Sequence, residues 1–260
     1  MTVPEEGAGV DGAALRRAEL LADRARDAEG AERRALAEQA LAVSPFCADA
    51  HIIFAGEAPR GSEAALEGWR RAVEAGRAAI GPMFEAFRGE FWAIDETRPY
   101  MRARHGLALA LWERGEREAA IGQLREMLAL GPEDDDLGVR HLLAAWLVEA
   151  GRDSEAAAVL DEYPDDPMAA RAWTAALLAF RRDGDSAGSR RLLAGAMAAN
   201  PDAAEFLSGR RALPDPLPVL DDLGGEAEAA EYAALARGAW AASPGALDWL
   251  RKGTGAAGGG

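Results

Sequence analysis

Gly115, Ala120, Leu124 and Pro132 stand at offsets 0, 5, 9 and 17, and this spacing limits the folds open to the chain more than any other feature. Gly184, Leu193 and Pro201 repeat the offsets, with Ser189 in the alanine place. Gly151, Ala156 and Leu160 repeat them without the proline, and the three glycines follow at intervals of 36 and 33 residues. A recurrence at this period marks stacked supersecondary units, each unable to bury its apolar faces alone. The text between the glycines is helical in kind, dominated by Ala, Leu, Arg and Glu. In "REAAIGQLREMLAL", Ala120, Leu124, Met127 and Leu128 share one face at helical spacing. Breakers fall at Ser44-Pro45, Gly81-Pro82, Gly131-Pro132, Asn200-Pro201 and Ser243-Pro244, and strand signals are almost absent. The expectation is an all-α chain of about five helical hairpins, the first two irregular.

The unit resembles the tetratricopeptide repeat, in which a small residue ends the first helix, an alanine lets the hairpin close and a proline follows the second helix. The resemblance implies a right-handed solenoid. Ala31–Pro45 reads as one further second helix, and Ser62–Pro82 as another after a poor first helix around "DAHIIFAG". The stretch "ETRPYMRARHGLALALWERGEREAAIGQLREMLAL", followed by "GPEDDDLGVRHLL", is similar to a bacterial group of tetratricopeptide-repeat proteins. There an ETRPYMRA segment opens one repeat and an asparagine-rich loop joins it to the next. That group is in turn similar to the conserved region of the suppressor-of-tumorigenicity-7 family. The likeness runs from about Gly81 to Leu250 and implies no biochemical activity. The chain departs from the group in the loop, where Gly131, Glu133 and Asp134–Asp136 replace the asparagines, and it lacks the membrane spans of the animal members.

The organisation expected is a disordered start over 1–12, degenerate hairpins and a short aromatic helix over 13–96, and three repeats over 97–200. A proline-rich turn with C-terminal capping helices then covers 201–252, and a disordered tail 253–260. In the cap, Ser243 reads as an N-cap with Pro244 at the first helical position.

The net charge of −15 argues against a nucleic-acid partner and against an anionic membrane surface. No apolar stretch reaches the roughly 20 residues of a membrane span. Met1 leads into text without the basic and apolar regions of a signal peptide, and the single Cys47 calls for no oxidising compartment, so the expected location is cytoplasmic. All but one of the 29 basic residues are arginine, Lys252 being the exception.

Nucleophilic chemistry would need Cys47 activated by His51, four residues on, but the surrounding text reads as a junction between hairpins with a buried thiol. The run "PEDDD" lacks the alternation of a calcium loop and reads as a cap for the next helix. Phe84, Phe87 and Phe91 read as the core stripe of a short helix.

The repeat register supplies the candidate binding surface. His105 and His141 occupy equivalent positions when position 1 is Met101 and Leu137. In the family resembled, positions 2, 5, 9, 12 and 13 of the first helices face a concave groove. Here they are Arg102, His105, Leu109, Trp112 and Glu113, then Gly138, His141, Ala145, Val148 and Glu149, then Arg171, Thr174, Leu178, Arg181 and Arg182. Such a groove would hold an extended peptide or partner protein, with arginines on carboxylates. Two alternatives stand beside this non-catalytic reading. One is an enzyme in which His105, His141 and Glu113 or Glu149 hold a metal or act as acid and base. The other is a self-associating structural repeat. No cofactor is expected, since no phosphate loop, CxxC pair or HExxH motif occurs. Within "ETRPYMRARHG", Thr97 or Arg98 should cap a helix with Pro99 at its first position. Glu96 should lock onto Arg98 or Arg140, and Tyr100 should pack between hairpins.

Overall fold

A computed structural model describes residues 9–131, 137–220 and 223–256, with side chains as far as 253. Among these residues there are thirteen α-helices and no strand. The chain divides into two compact units, Met1–Val139 and Arg140–Gly260, so the boundary falls inside the stretch 97–200. The glycines that open the repeat spacing share one conformation. Gly115, Gly151 and Gly184 have φ of 79°, 76° and 63°, each just past the end of a helix. A side chain would strain that left-handed backbone, which is why the recurring residue is glycine.

In the first unit α1 (Gly12–Asp27) packs on α2 (Gly30–Val43), α3 (Ala48–Glu57) on α4 (Glu63–Ile80), and α5 (Arg98–Glu113) on α6 (Arg117–Leu130). Helix α2 also meets α3, and α4 meets α5, while α1, α3 and α5 touch in series. Asp11 caps α1 by accepting from the N–H of Ala13 and Ala14, and Ser62 caps α4 by accepting from Ala65. The first hairpin is closed largely by small residues: Ala18, Ala22 and Ala25 of α1 lie against Leu36, Ala37, Ala40 and Leu41 of α2. Small residues govern α4 against α5 as well. A Cβ on Gly76 would stand 3.0 Å from the Tyr100 backbone, and one on Gly106 would stand 2.1 Å from the Trp69 ring. Tyr100 is buried at this junction between hairpins, as expected.

The aromatic stretch differs from expectation. Gly81–Met83 is a single 3-10 turn followed by further turns, with no helix beneath Phe84, Phe87 and Phe91. The reason is a terminus to be satisfied: Gly89 and Phe91 both donate their N–H to the Leu130 carbonyl at the end of α6. Phe84, Phe91 and Tyr100 then meet edge to face, with ring centroids 5.0–6.0 Å apart. Phe87 is only half-buried. Helix α5 starts at Arg98 with Pro99 in its first turn and Thr97 as N-cap residue. Thr97 does not cap through its side chain; its hydroxyl donates to the carbonyls of Phe91 and Ile94. Glu96 does not lock Arg98, which pairs with Asp95; its other candidate, Arg140, belongs to the second unit and pairs there with Asp166.

The second unit holds α7 (Val139–Glu149), α8 (Asp153–Glu162), α9 (Ala169–Asp183), α10 (Ala187–Ala199), α11 (Asp202–Leu207), α12 (Glu226–Ala241) and α13 (Ala246–Ala256). Helix α9 packs on α10 and also meets α8, α12 and α13. Trp173, Tyr232 and Trp240 are fully buried and form an aromatic centre, with Trp173 6.3 Å from Tyr232 and 6.0 Å from Trp240. Two expectations for the end of the chain are corrected. Ser243 is not an N-cap: its hydroxyl donates to Ala239 and accepts from Arg181, and α13 begins only at Ala246, after a turn at Gly245. The backbone of 253–256 continues α13 and is not a disordered tail. The "PEDDD" run lies outside the described residues.

Candidate functional site

Helix α5 buries Tyr100, Met101, Ala103, Leu107, Ala108, Ala110 and Leu111. Its other side carries Arg102, His105, Leu109, Trp112 and Glu113. Arg102, His105 and Leu109 follow at helical spacing, so they share a face. Leu109 is 39% exposed, one of few large apolar side chains left in water. His105 and Trp112 are half-exposed, and the Arg117 guanidinium lies 3.7 Å from the centroid of the Trp112 ring. Glu113 is exposed, 3.8 Å from Arg60.

Arg102 is engaged within the fold. Its Nη2 lies 2.8 Å from Asp49 Oδ2 and its Nε donates to Asp49 Oδ1 at 3.1 Å. Arg26 reaches the same carboxylate at 3.0 Å, and Asp49 itself is buried. One carboxylate on α3 thus joins α1 and α5. Beside it, Glu19 of α1 is half-buried, and burial together with the charges of Asp49, Asp23 and Glu96 raises its pKa above the ordinary carboxylate value. Arg26 also pairs with Asp23, so two carboxylates neutralise Arg26 and Arg102, and the α1–α3–α5 face offers the Glu19 and Glu96 carboxylates and an apolar leucine.

In the second unit the expected groove residues are largely covered. Thr174 is buried and its hydroxyl donates to Tyr232 of α12 at 3.4 Å. Glu149 packs against Gly238 of α12, where a Cβ would stand 1.9 Å from its Oε2. Arg181 binds Asp153 at 2.8 Å and donates to Ser243 at 2.8 Å, and Arg171 donates to the Tyr163 carbonyl at 3.1 Å. His141 is buried too, with Nε2 3.4 Å from Asp166. His141 and Thr174 are thus not open groove lining as expected from the register. The reason is α12, which folds back onto α9, and the segment around Asp166, which closes over the start of α7.

The His141 surroundings have the residue types of an acid–base site. Arg140 Nε donates to Asp166 at 2.6 Å, the Met168 N–H donates to it at 2.9 Å, and Arg140 lies over the Tyr163 ring. Burial works against ionisation of Asp166, but Arg140, the Met168 N–H and His141 outweigh it and hold its pKa below the ordinary value. The space there is about 10 Å³, room for a water at most and none for a substrate. Among the described residues no three His, Cys, Asp or Glu side chains stand together as metal ligands. Nor is any described helix long and apolar enough to cross a membrane.

Cys47 is 1% exposed at the start of α3, and burial pushes its thiol up to about 12. His51 does not activate it: its Nε2 faces the Pro45 carbonyl at 2.9 Å, and burial lowers its pKa. The native chain is therefore expected to resist a thiol-specific disulfide reagent at pH 8 and to react stoichiometrically in denaturant. Rapid labelling of the folded chain would contradict this environment.

Sequence reasoning missed Asp49, Asn200 and Glu228. Asp49 carried a signal, being an acid near the start of the otherwise apolar "ADAHIIFAG". Glu228, in "GGEAEAAEY", looks like any of its acidic neighbours. No family model matches the chain, and no curated protein or solved structure matches it.

Proposed function

We propose that the chain is a tetratricopeptide-like repeat protein that binds a protein or peptide on the α1–α3–α5 face without catalysing a reaction. The serial contact of alternate helices and the left-handed glycine after α5, α7 and α9 support the repeat reading. The likeness of the Glu96–Leu130 text to the bacterial group belongs to the same reading. The observation that carries the binding role is the mixed band on α5, where exposed Leu109 stands beside His105 and Trp112 on a helix otherwise packed into the core.

The chemistry of the face favours a partner segment with an apolar side chain and basic neighbours. An acidic peptide would need Arg102, whose guanidinium is held by Asp49, and would meet Glu19 and Glu96. The test is co-purification from the native cell with the full chain and with Leu109→Asp. A stoichiometric partner retained by the parent and lost by at least tenfold in the variant is the expected result. Equal retention by both chains would remove the face from consideration. Stoichiometric metal in the purified protein, lost in His105→Ala, would instead favour the enzyme.

A further inference from the structure

Of the nine large apolar side chains that stand exposed among the described residues, Leu217, Val219, Leu220 and Leu223 fall within one short stretch. Val219 is 86% exposed. The segment Leu213–Leu220, "LPDPLPVL", joins α11 to α12 and belongs to no helix. Pro214, Pro216 and Pro218 restrict its backbone and remove three N–H donors. Such a segment loses less conformational entropy on docking than a flexible one. Its one charge is Asp215, and the sequence continues after Leu220 with two further aspartates.

The same unit contains a complementary surface. Between α10 and α13 lies a cleft of about 670 Å³ lined by the apolar Leu193, Ala194, Met197 and Trp249 and by the charged Asp185, Arg190 and Lys252. It is closed where Gly253 meets Leu193, since a Cβ on Gly253 would stand 2.8 Å from the leucine. The wall is fixed by the Trp249 Nε1 hydrogen bond to Asp185 at 3.0 Å, and Asp185 also binds Arg190. Helix α10 carries Arg190 and Arg191 and no acid. Helix α13 carries Arg251 and Lys252 with one acid, Asp248, which pairs with Arg251. With Arg190 and Arg251 paired, Arg191 and Lys252 still leave this place cationic over an apolar floor, in a chain of net charge −15.

We infer that the chain forms a two-fold dimer in which the Leu213–Leu220 segment of each copy docks in the α10–α13 cleft of the other. The exposed leucines and Val219 fill the apolar floor, and the acidic character of the segment meets Lys252, Arg190 being held by Asp185. The exchange is reciprocal, so it closes at two copies. It is independent of the partner face on the first unit.

Light scattering across a dilution series tests it. The parent chain is expected to show twice the monomer mass at high concentration and to dissociate on dilution. Val219→Asp spoils the segment and leaves the cleft. Ala194→Glu, at an exposed position of α10, crowds the cleft with like charge and leaves the segment. Each variant alone should be a monomer with unchanged circular dichroism, and mixing the two should restore part of the association through the one intact junction. A labelled peptide of residues 213–220 should bind the Val219→Asp chain at least tenfold more tightly than the Ala194→Glu chain. That arm reads the cleft even where a variant is unstable. A parent chain that is monomeric throughout, a dimer that survives both substitutions, or a peptide that distinguishes neither chain would each overturn the exchange.

Discussion

Glu228→Ala is expected to lose much of the stability of the second unit, about 2–4 kcal/mol, because it strips the buried Ala169 N–H of its acceptor, leaves Asn200 Nδ2 with only the Gly225 carbonyl and releases the Gly224 N–H at the surface. Glu228 is 1% exposed. It accepts from the Ala169 N–H at 2.8 Å, from Asn200 Nδ2 at 2.9 Å and from the Gly224 N–H at 2.8 Å. These donors belong to the start of α9, the residue that ends α10 and the turn before α12. An anion at the first turns of α9 and α12 also opposes the positive ends of both helices. Asn200 extends the junction: its side-chain oxygen accepts from Asp202 N–H at the start of α11, and its carbonyl accepts from Trp173 Nε1. Among the described residues no arginine pairs with the carboxylate, so its place rests on the hydrogen bonds. Glu228→Gln keeps the shape but turns an amide N–H₂ toward groups that are themselves donors, and about half the loss is expected. Hydrogen exchange read by mass spectrometry separates the units. Peptides from α9, α10 and α12 should lose protection in Glu228→Ala while those from α1 to α6 do not. Unchanged protection over α9 and α12 would show that the junction does not hold the unit together.

The helices were legible because their signals are local. Gly115, Gly151 and Gly184 mark a backbone requirement that any reader of spacing can find. The junctions were less so. Phe84, Phe87 and Phe91 have helical spacing, yet the Leu130 carbonyl, distant in sequence, draws Gly89 and Phe91 into turns. Ser243-Pro244 has the letters of a helix start, yet Ser243 is taken by Arg181 and Ala239. The groove register shows the same limit. It put His105, Leu109 and Trp112 on the partly open side of α5, but could not show that α12 returns to cover Thr174 and Glu149. Nor could it show that each arginine it offered to a ligand already has a carboxylate or carbonyl of this chain. A position on a helix follows from periodicity, whereas the occupancy of a guanidinium depends on which other segment arrives beside it.

Asp49 shows what that occupancy does to binding. Its side chain is 8% exposed, whereas Arg26 and Arg102 keep 45% and 37% of theirs in water. Removing the carboxylate leaves Arg102 to turn to solvent and Arg26 on Asp23, so the loss falls short of that for a fully buried pair, and Asp49→Ala is expected to cost about 2–3 kcal/mol. The cycle with Arg102→Ala should show a coupling of about 1–2 kcal/mol, since the contact is bidentate and one partner is buried. That coupling should fall only modestly as salt is raised. Urea unfolding of the four chains measures it, and additive losses would mean that the ion pair contributes nothing to the first unit. The same substitution changes the charge of the face. With Asp49 gone, Arg102 becomes available on the side of α5 that carries His105 and Leu109, while Arg26 keeps Asp23. A folded Asp49→Ala chain should then retain an acidic peptide, such as a leucine-bearing oligoglutamate, that the parent does not, with the gain abolished by Arg102→Ala. Equal retention by parent and Asp49→Ala would show that Asp49 does not decide which charge the face accepts. A gain confined to Asp49→Ala would show that a buried acid on α3 sets the face against acidic ligands, which the groove register read from sequence had the chain prefer.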